Sequence, residues 1–136
     1  MDASPSPLDA ALARVGDRWS LLVVEALLGG PRRFNDLLAA LPGVATNVLS
    51  QRLKRLESEA VIVARPYSER PPRYSYELTA AGTELAGALR LLASWGGTAA
   101  DPPRHAACGT ALETRWHCPT CARQVEDPDT DGLDYA

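Results

Sequence analysis

Apolar residues at Leu8, Ala11, Leu12 and Val15 keep the i, i+3, i+4, i+7 spacing of an amphipathic helix. Gly16 interrupts that pattern, and Asp17 stands where it can cap a second helix, in which Trp19, Leu22, Val23, Ala26 and Leu27 recur at helical spacing. Gly29, Gly30 and Pro31 stop it. Phe34, Leu37, Leu38 and Leu41 predict a short third helix closed by Pro42 and Gly43. Thr46 or Asn47 opens a fourth, with Leu49, Leu53 and Leu56 on one face.

Past Glu59 the period changes. The β-branched stretch from Val61 through Val63 to Arg65 reads as a strand, and Tyr74 to Leu78 alternates as its return. Between them, Ser68 to Arg73 is expected to be a turn too rich in proline to pair. Thr79 caps a fifth helix with Leu85, Ala88, Leu89, Leu92 and Trp95 on one stripe, ended by Gly96 and Gly97. Four helices, a hairpin and a helix make an α+β chain, mainly α, in the order of a winged helix-turn-helix. The expected organisation is a disordered lead-in over residues 1–7, a DNA-binding and dimerisation domain over 8–97 and a linker over 98–104. A zinc-ribbon-like segment over 105–125 and an acidic disordered tail over 126–136 complete it.

If Leu49, Leu53 and Leu56 turn inward, the opposite side of the fourth helix carries Asn47, Ser50, Gln51, Lys54, Arg55 and Ser58. Amide side chains can form paired hydrogen bonds with adenine, and cations with guanine or phosphate. Asn47, Ser50 and Gln51 lie toward the helix start, where base edges are read, and Lys54 and Arg55 further along, where phosphates run. Arg70 and Arg73 on the hairpin tip can reach the backbone or the minor groove. Arg32 and Arg33 are further candidates for phosphate. The same features also suit a solvated helix face and a turn guarded by charge.

Several co-linear motifs resemble the HxlR-type regulators, winged-helix relatives of the MarR group. They are the stretch Val15 to Leu22, the stretch Gly30 to Leu37, the run Val48 to Lys54, and Pro71-Pro72-Arg73-Tyr74 followed by Leu78 to Gly82. The resemblance covers roughly two thirds of the chain, from about Leu8 to Gly96. It implies a homodimer on double-stranded DNA, joined through the first and fifth helices, that represses or activates a nearby promoter at an inverted repeat. The breadth of the fifth helix, apolar at Leu91 as well as Leu85, Leu89 and Leu92, points to the same pairing. Two departures stand out. Family members often carry a sensing cysteine ahead of the first helix, and here none precedes Cys108. Ala60 occupies the usual glycine position after the fourth helix, which costs on the order of 1 kcal/mol if the backbone there is left-handed.

The net charge of −3 is no signature of a nucleic-acid binder, but its distribution is uneven. Pro31 to Tyr76 holds eight Lys and Arg against four acids, whereas five acids and no base follow Gln124. No apolar run approaches the length of a membrane span, and the N-terminus lacks the basic and apolar parts of a signal peptide, so a cytoplasmic protein is expected.

The three cysteines cluster late, as His105-x2-Cys108-x9-Cys118-x2-Cys121. Two pairs at this spacing suit tetrahedral zinc, and Gly109 and Pro119 suit the turns. The expectation is a miniature zinc ribbon ligated by His105, Cys108, Cys118 and Cys121, with His117 as the competing fourth ligand. Reduced thiols or a Cys118–Cys121 disulfide are the alternatives. A closed four-ligand site would be structural, and Glu113 is the only acid inside the span, which argues against an enzyme activating water on the metal. The other function considered is a protein-interaction module, in which winged helix and ribbon bind a protein rather than DNA. A small-molecule effector has room between dimer helices, but no residue specifies one.

Overall fold

In the computed structural model, which describes residues 4–97 and 102–126, the first helix starts one residue ahead of the apolar pattern. The Ser6 hydroxyl accepts from the Asp9 amide, and Pro7 opens α1 (Pro7–Val15) in the turn where no amide is required. Ser6 and Pro7 are therefore part of the helix start rather than of a disordered lead-in; residues 1–3 lie outside the described residues. Asp17 caps α2 (Arg18–Leu27) as expected, accepting from the Ser20 amide at 3.0 Å and from the buried Ser20 hydroxyl. α3 (Phe34–Ala40) and α4 (Thr46–Ser58) follow.

The core is the inward row of each helix: Val23, Val24 and Leu27 from α2, Leu37 from α3, and Leu49, Leu53 and Leu56 from α4, closed by Val15, Leu41, Val61 and Ile62. Among the described residues every buried side-chain polar atom has a partner. Among the described residues no helix is long and apolar enough to cross a membrane.

α4 ends in the arrangement that a glycine usually serves. The Ala60 amide donates to Glu57 O and the Val61 amide to Leu56 O at 2.9 Å, with Ala60 at φ 56°. The left-handed backbone is thus present, with a methyl group where glycine would be free of strain. Ala60→Gly removes that strain but adds unfolded-state entropy, and we expect it to raise stability by about 0.5–1 kcal/mol. Thermal unfolding of the variant checks this, and an unchanged or lower midpoint would contradict it.

The wing differs from expectation. β2 (Ile62–Glu69) and β3 (Pro72–Leu78) pair out to Ser68 with Arg73 and Glu69 with Pro72, so the stretch expected to be an unpaired turn is mostly ladder. Only Arg70 and Pro71 form the tip, joined by a cis peptide. The prolines are tolerated because a register shift between Pro66 and Ser68 absorbs the missing donor. A third strand, β1 (Arg32–Arg33), pairs with β3 through Arg32–Tyr76 and Arg33–Ser75, giving the order β1-β3-β2.

The expected single fifth helix is two, α5 (Ala80–Thr83) and α6 (Leu85–Gly96). Thr79 pins the start: its amide donates to Val61 O, its hydroxyl donates to Ala60 O at 2.6 Å, and it accepts from the Gly82 amide. Gly82 lies so near Val61 O that a Cβ would sit 2.1 Å from it, so the Thr79-x-x-Gly82 spacing is fixed by this close approach.

The chain divides into two units, Met1–Trp95 and Gly96–Ala136. In the second, Arg104 bridges Ala111, and β4 (Trp116–Cys118) pairs with β5 (Arg123–Val125). Most of the expected linker (residues 98–101) and all of the acidic tail beyond Glu126 lie outside the described residues.

Candidate nucleic-acid interface

Three faces of α4 have three fates. Leu49, Leu53 and Leu56 are buried. About a third of a turn away, the helix is tied to α1 and α2 by charged groups. Arg52 Nε meets Asp17 Oδ1 at 3.0 Å, Arg55 donates to the Ala13 carbonyl, and Glu59 accepts from Arg14 Nε at 2.8 Å. Burial pushes the Asp17 carboxyl up, but the Ser20 hydrogen bonds and the Arg52 guanidinium outweigh it and hold the group below its ordinary value. The remaining face carries Asn47, Gln51 and Lys54, all exposed, with half-buried Ser50 at its margin. Among the described residues Asn47, Gln51 and Lys54 have no side-chain partner. Ser58 is on the same stripe, but its hydroxyl donates to Arg55 O at 2.7 Å.

Arg55 departs from the expected placement beside Lys54. One step along a helix is about 100° of rotation, which carries its guanidinium round to the α1 carbonyl. It holds the helix in place rather than lining the open face.

The basic middle of the chain is sorted in the same way. Arg32 Nε donates to Ala26 O, Arg33 stacks over the Tyr67 ring at 4.3 Å, and Arg65 pairs with Glu77. Arg70 and Arg73 are exposed at the wing tip and, among the described residues, make no ion pair or hydrogen bond. Among the described residues of this basic stretch, the cations left free to meet an external anion are therefore Lys54 on α4 and Arg70 and Arg73 on the wing. The Arg33–Tyr67 contact was not anticipated. Its one signal in the sequence is Pro66, which forces the irregularity that leaves Tyr67 out of the ladder.

On α1 and α6 a second surface is left open. Leu8 is 68% exposed, and Leu12 also faces outward. Leu85 and Leu89 pack on the core, but no residue of α6 is buried, and Leu91, Leu92 and Trp95 are exposed, Trp95 to 84%.

In the C-terminal unit the candidate ligands come together as two pairs. His105 Nδ1 lies 3.3 Å from Cys108 Sγ, and the Cys121 amide donates to Cys118 Sγ at 3.5 Å. The Thr110 hydroxyl and amide lower the pKa of Cys108, and amides of Cys121 and Thr120 lower that of Cys118. Among the described residues no three His, Cys, Asp or Glu side chains converge on one point, so the two pairs are not closed on each other. His117 is in β4 directly before Cys118, and strand alternation aims neighbouring side chains to opposite faces.

A pair of short helices, the second with an open polar face, followed by a hairpin with a cationic tip, defines a winged helix-turn-helix DNA-binding protein. The HxlR-like helix-turn-helix family matches residues 14–103, and the chain belongs to that family. It is thus a transcription regulator of the helix-turn-helix type rather than an enzyme. The chain is 35% identical over 122 residues to an uncharacterized HTH-type transcriptional regulator of Mycobacterium tuberculosis, covering 85% of this chain and 77% of that one. Among solved structures it resembles the HTH-type transcriptional regulator ytcD, with TM-score 0.63 and 33% identity over 67% of this chain and 93% of that one. A MarR-family regulator from Porphyromonas gingivalis W83 matches with TM-score 0.65 and 26% identity, over 71% and 94% of the two chains.

Proposed function

We propose that the chain acts as a homodimer on an inverted-repeat operator, with α4 in the major groove of each half-site. The observation that carries this reading is the division of α4: one face buried, one tied down, and one presenting Asn47, Gln51 and Lys54 unpartnered. Side chains with no internal partner on a helix fixed from two sides are preorganised for an external one. Asn47, Ser50 and Gln51 contact base edges. Lys54 meets phosphate, and Arg70 and Arg73 follow the backbone or the minor groove from the wing. Pairing through α1 and α6 covers Leu8, Leu12, Leu91, Leu92 and Trp95 and sets the two copies of α4 about 34 Å apart, one turn of DNA.

The test is to sequence the chromosomal fragments retained by the purified full-length protein and to titrate their affinity against salt. The expected outcome is a small set of fragments sharing an inverted repeat, with log affinity falling steeply as log salt rises. Fragments without a shared sequence, or a flat salt dependence, would favour the protein-interaction reading.

A further inference from the structure

We propose that the C-terminal unit is a zinc ribbon, in which one structural zinc ion joins the His105–Cys108 pair to the Cys118–Cys121 pair.

The two pairs occupy equivalent places in two hairpins. In the first, the His105 amide donates to Thr110 O beside the Arg104–Ala111 bridge; in the second, Cys118 is opposite Arg123 in the β4–β5 ladder. Each first ligand thus opens a turn closed by the residue five positions later. Each second ligand is followed by a left-handed residue, Gly109 at φ 73° and Ala122 at φ 54°. The tightening bonds also match: the Gly109 amide donates to His105 O at 2.7 Å, and the Ala122 amide donates to Cys118 O at 2.8 Å. Such a turn aims amides at sulfur and both side chains of a pair to one side. Glycine takes this backbone freely at the first position, whereas Ala122 takes it at a cost on the order of 1 kcal/mol that the turn must offset.

The spacing within the first pair fits an ion. With Zn–S near 2.3 Å and Zn–N near 2.1 Å, two ligands of a tetrahedral shell are about 3.6 Å apart. The His105 Nδ1 to Cys108 Sγ distance of 3.3 Å is close to that edge.

Among its described residues the unit also has no apolar core to hold it. Among its described residues none is buried, and only Cys118 and Val125 are even half-buried. Its large apolar residues, Leu112 and Trp116, are exposed. Two hairpins without a core do not offset the entropy of ordering their backbone, whereas a four-ligand zinc site does. A match spanning 85% of the chain reaches past the winged domain, so similarity to the mycobacterial regulator extends into this unit.

The test measures metal in the full-length protein purified without chelator. The expected result is stoichiometric zinc, released on modifying the thiols with a mercurial. Cobalt substituted for zinc should give the thiolate-to-metal charge-transfer absorption of a tetrahedral site. Cys118→Ser with Cys121→Ser should abolish retention of zinc, and His105→Ala should weaken it by about 10-fold or more while His117→Ala leaves it unchanged. Thermal unfolding of the winged unit in the same variants separates loss of metal from loss of the whole fold. Protein with an intact winged unit and no zinc would overturn the proposal. So would zinc retained by the double cysteine variant, or lost from His117→Ala and not from His105→Ala.

Discussion

Replacing Lys54 and Arg73 together with alanine is expected to weaken operator binding about 100-fold near physiological salt, with the loss shared by every sequence tested. The expectation follows from how the fold spends its cations. Arg32, Arg33, Arg52, Arg55 and Arg65 are held by internal partners, so removing any of them disturbs the protein before it disturbs a ligand. Lys54 and Arg73 are exposed and hold nothing within the described residues. In a dimer the double variant withdraws four charges from the duplex. About 0.9 counterion is released per phosphate neutralised, so the slope of log affinity against log salt should flatten by roughly three to four. The melting temperature should stay near that of the parent, because neither side chain packs. An unchanged slope would mean that these cations do not face phosphate.

The second large effect concerns assembly. Leu92→Asp with Trp95→Asp should convert a dimer into a monomer and lower operator affinity by about 10²- to 10⁴-fold, the advantage gained when two linked half-sites bind together. Both side chains are exposed in the single chain, Leu92 to 50% and Trp95 to 84%, so the fold itself should survive. Exposed apolar rows on both α1 and α6 are otherwise difficult to reconcile with a protein that stays dispersed in water. Light scattering gives the mass directly. A variant that remains dimeric would place the interface elsewhere, and a monomer with undiminished affinity would show that pairing is not needed for recognition.

Most of the winged domain was legible in the sequence because its helices obey one rule each. Asp17 caps, Gly29 to Pro31 break, and Leu49, Leu53 and Leu56 mark the inward face of α4. Strand β1 was not legible: two residues have no periodicity, and Arg32 and Arg33 join the sheet only because β3 passes beside them. The wing was underestimated for a related reason. Proline removes a donor, but a strand with one partner can spare it, and the irregularity at Pro66 absorbs the rest.

The open face of α4 was legible in outline and imprecise in detail. Periodicity places Arg55 near the polar side, and only the position of α1 turns it toward the Ala13 carbonyl. The ties from Asp17 to Arg52 and from Arg14 to Glu59 span long stretches of chain and leave no local pattern. The break between α5 and α6 escaped for the same reason, since the anchoring of Thr79 and the close approach of Gly82 both depend on Val61. In the C-terminal unit the grouping of His105 with Cys108 and of Cys118 with Cys121 follows from their spacing. The matched left-handed residues after Cys108 and Cys121 emerge only from the backbone.

The central claim is that the exposed side of α4 reads base sequence, and selection from a pool of random duplexes tests it most directly. The parent protein should enrich an inverted repeat with half-site centres about one helical turn apart. Gln51→Ala should lose preference at one base pair of each half-site, by about 1–3 kcal/mol, and keep the remainder of the motif. Recovery of the same motif with the same strength by both proteins, or of no motif by the parent, would contradict the account.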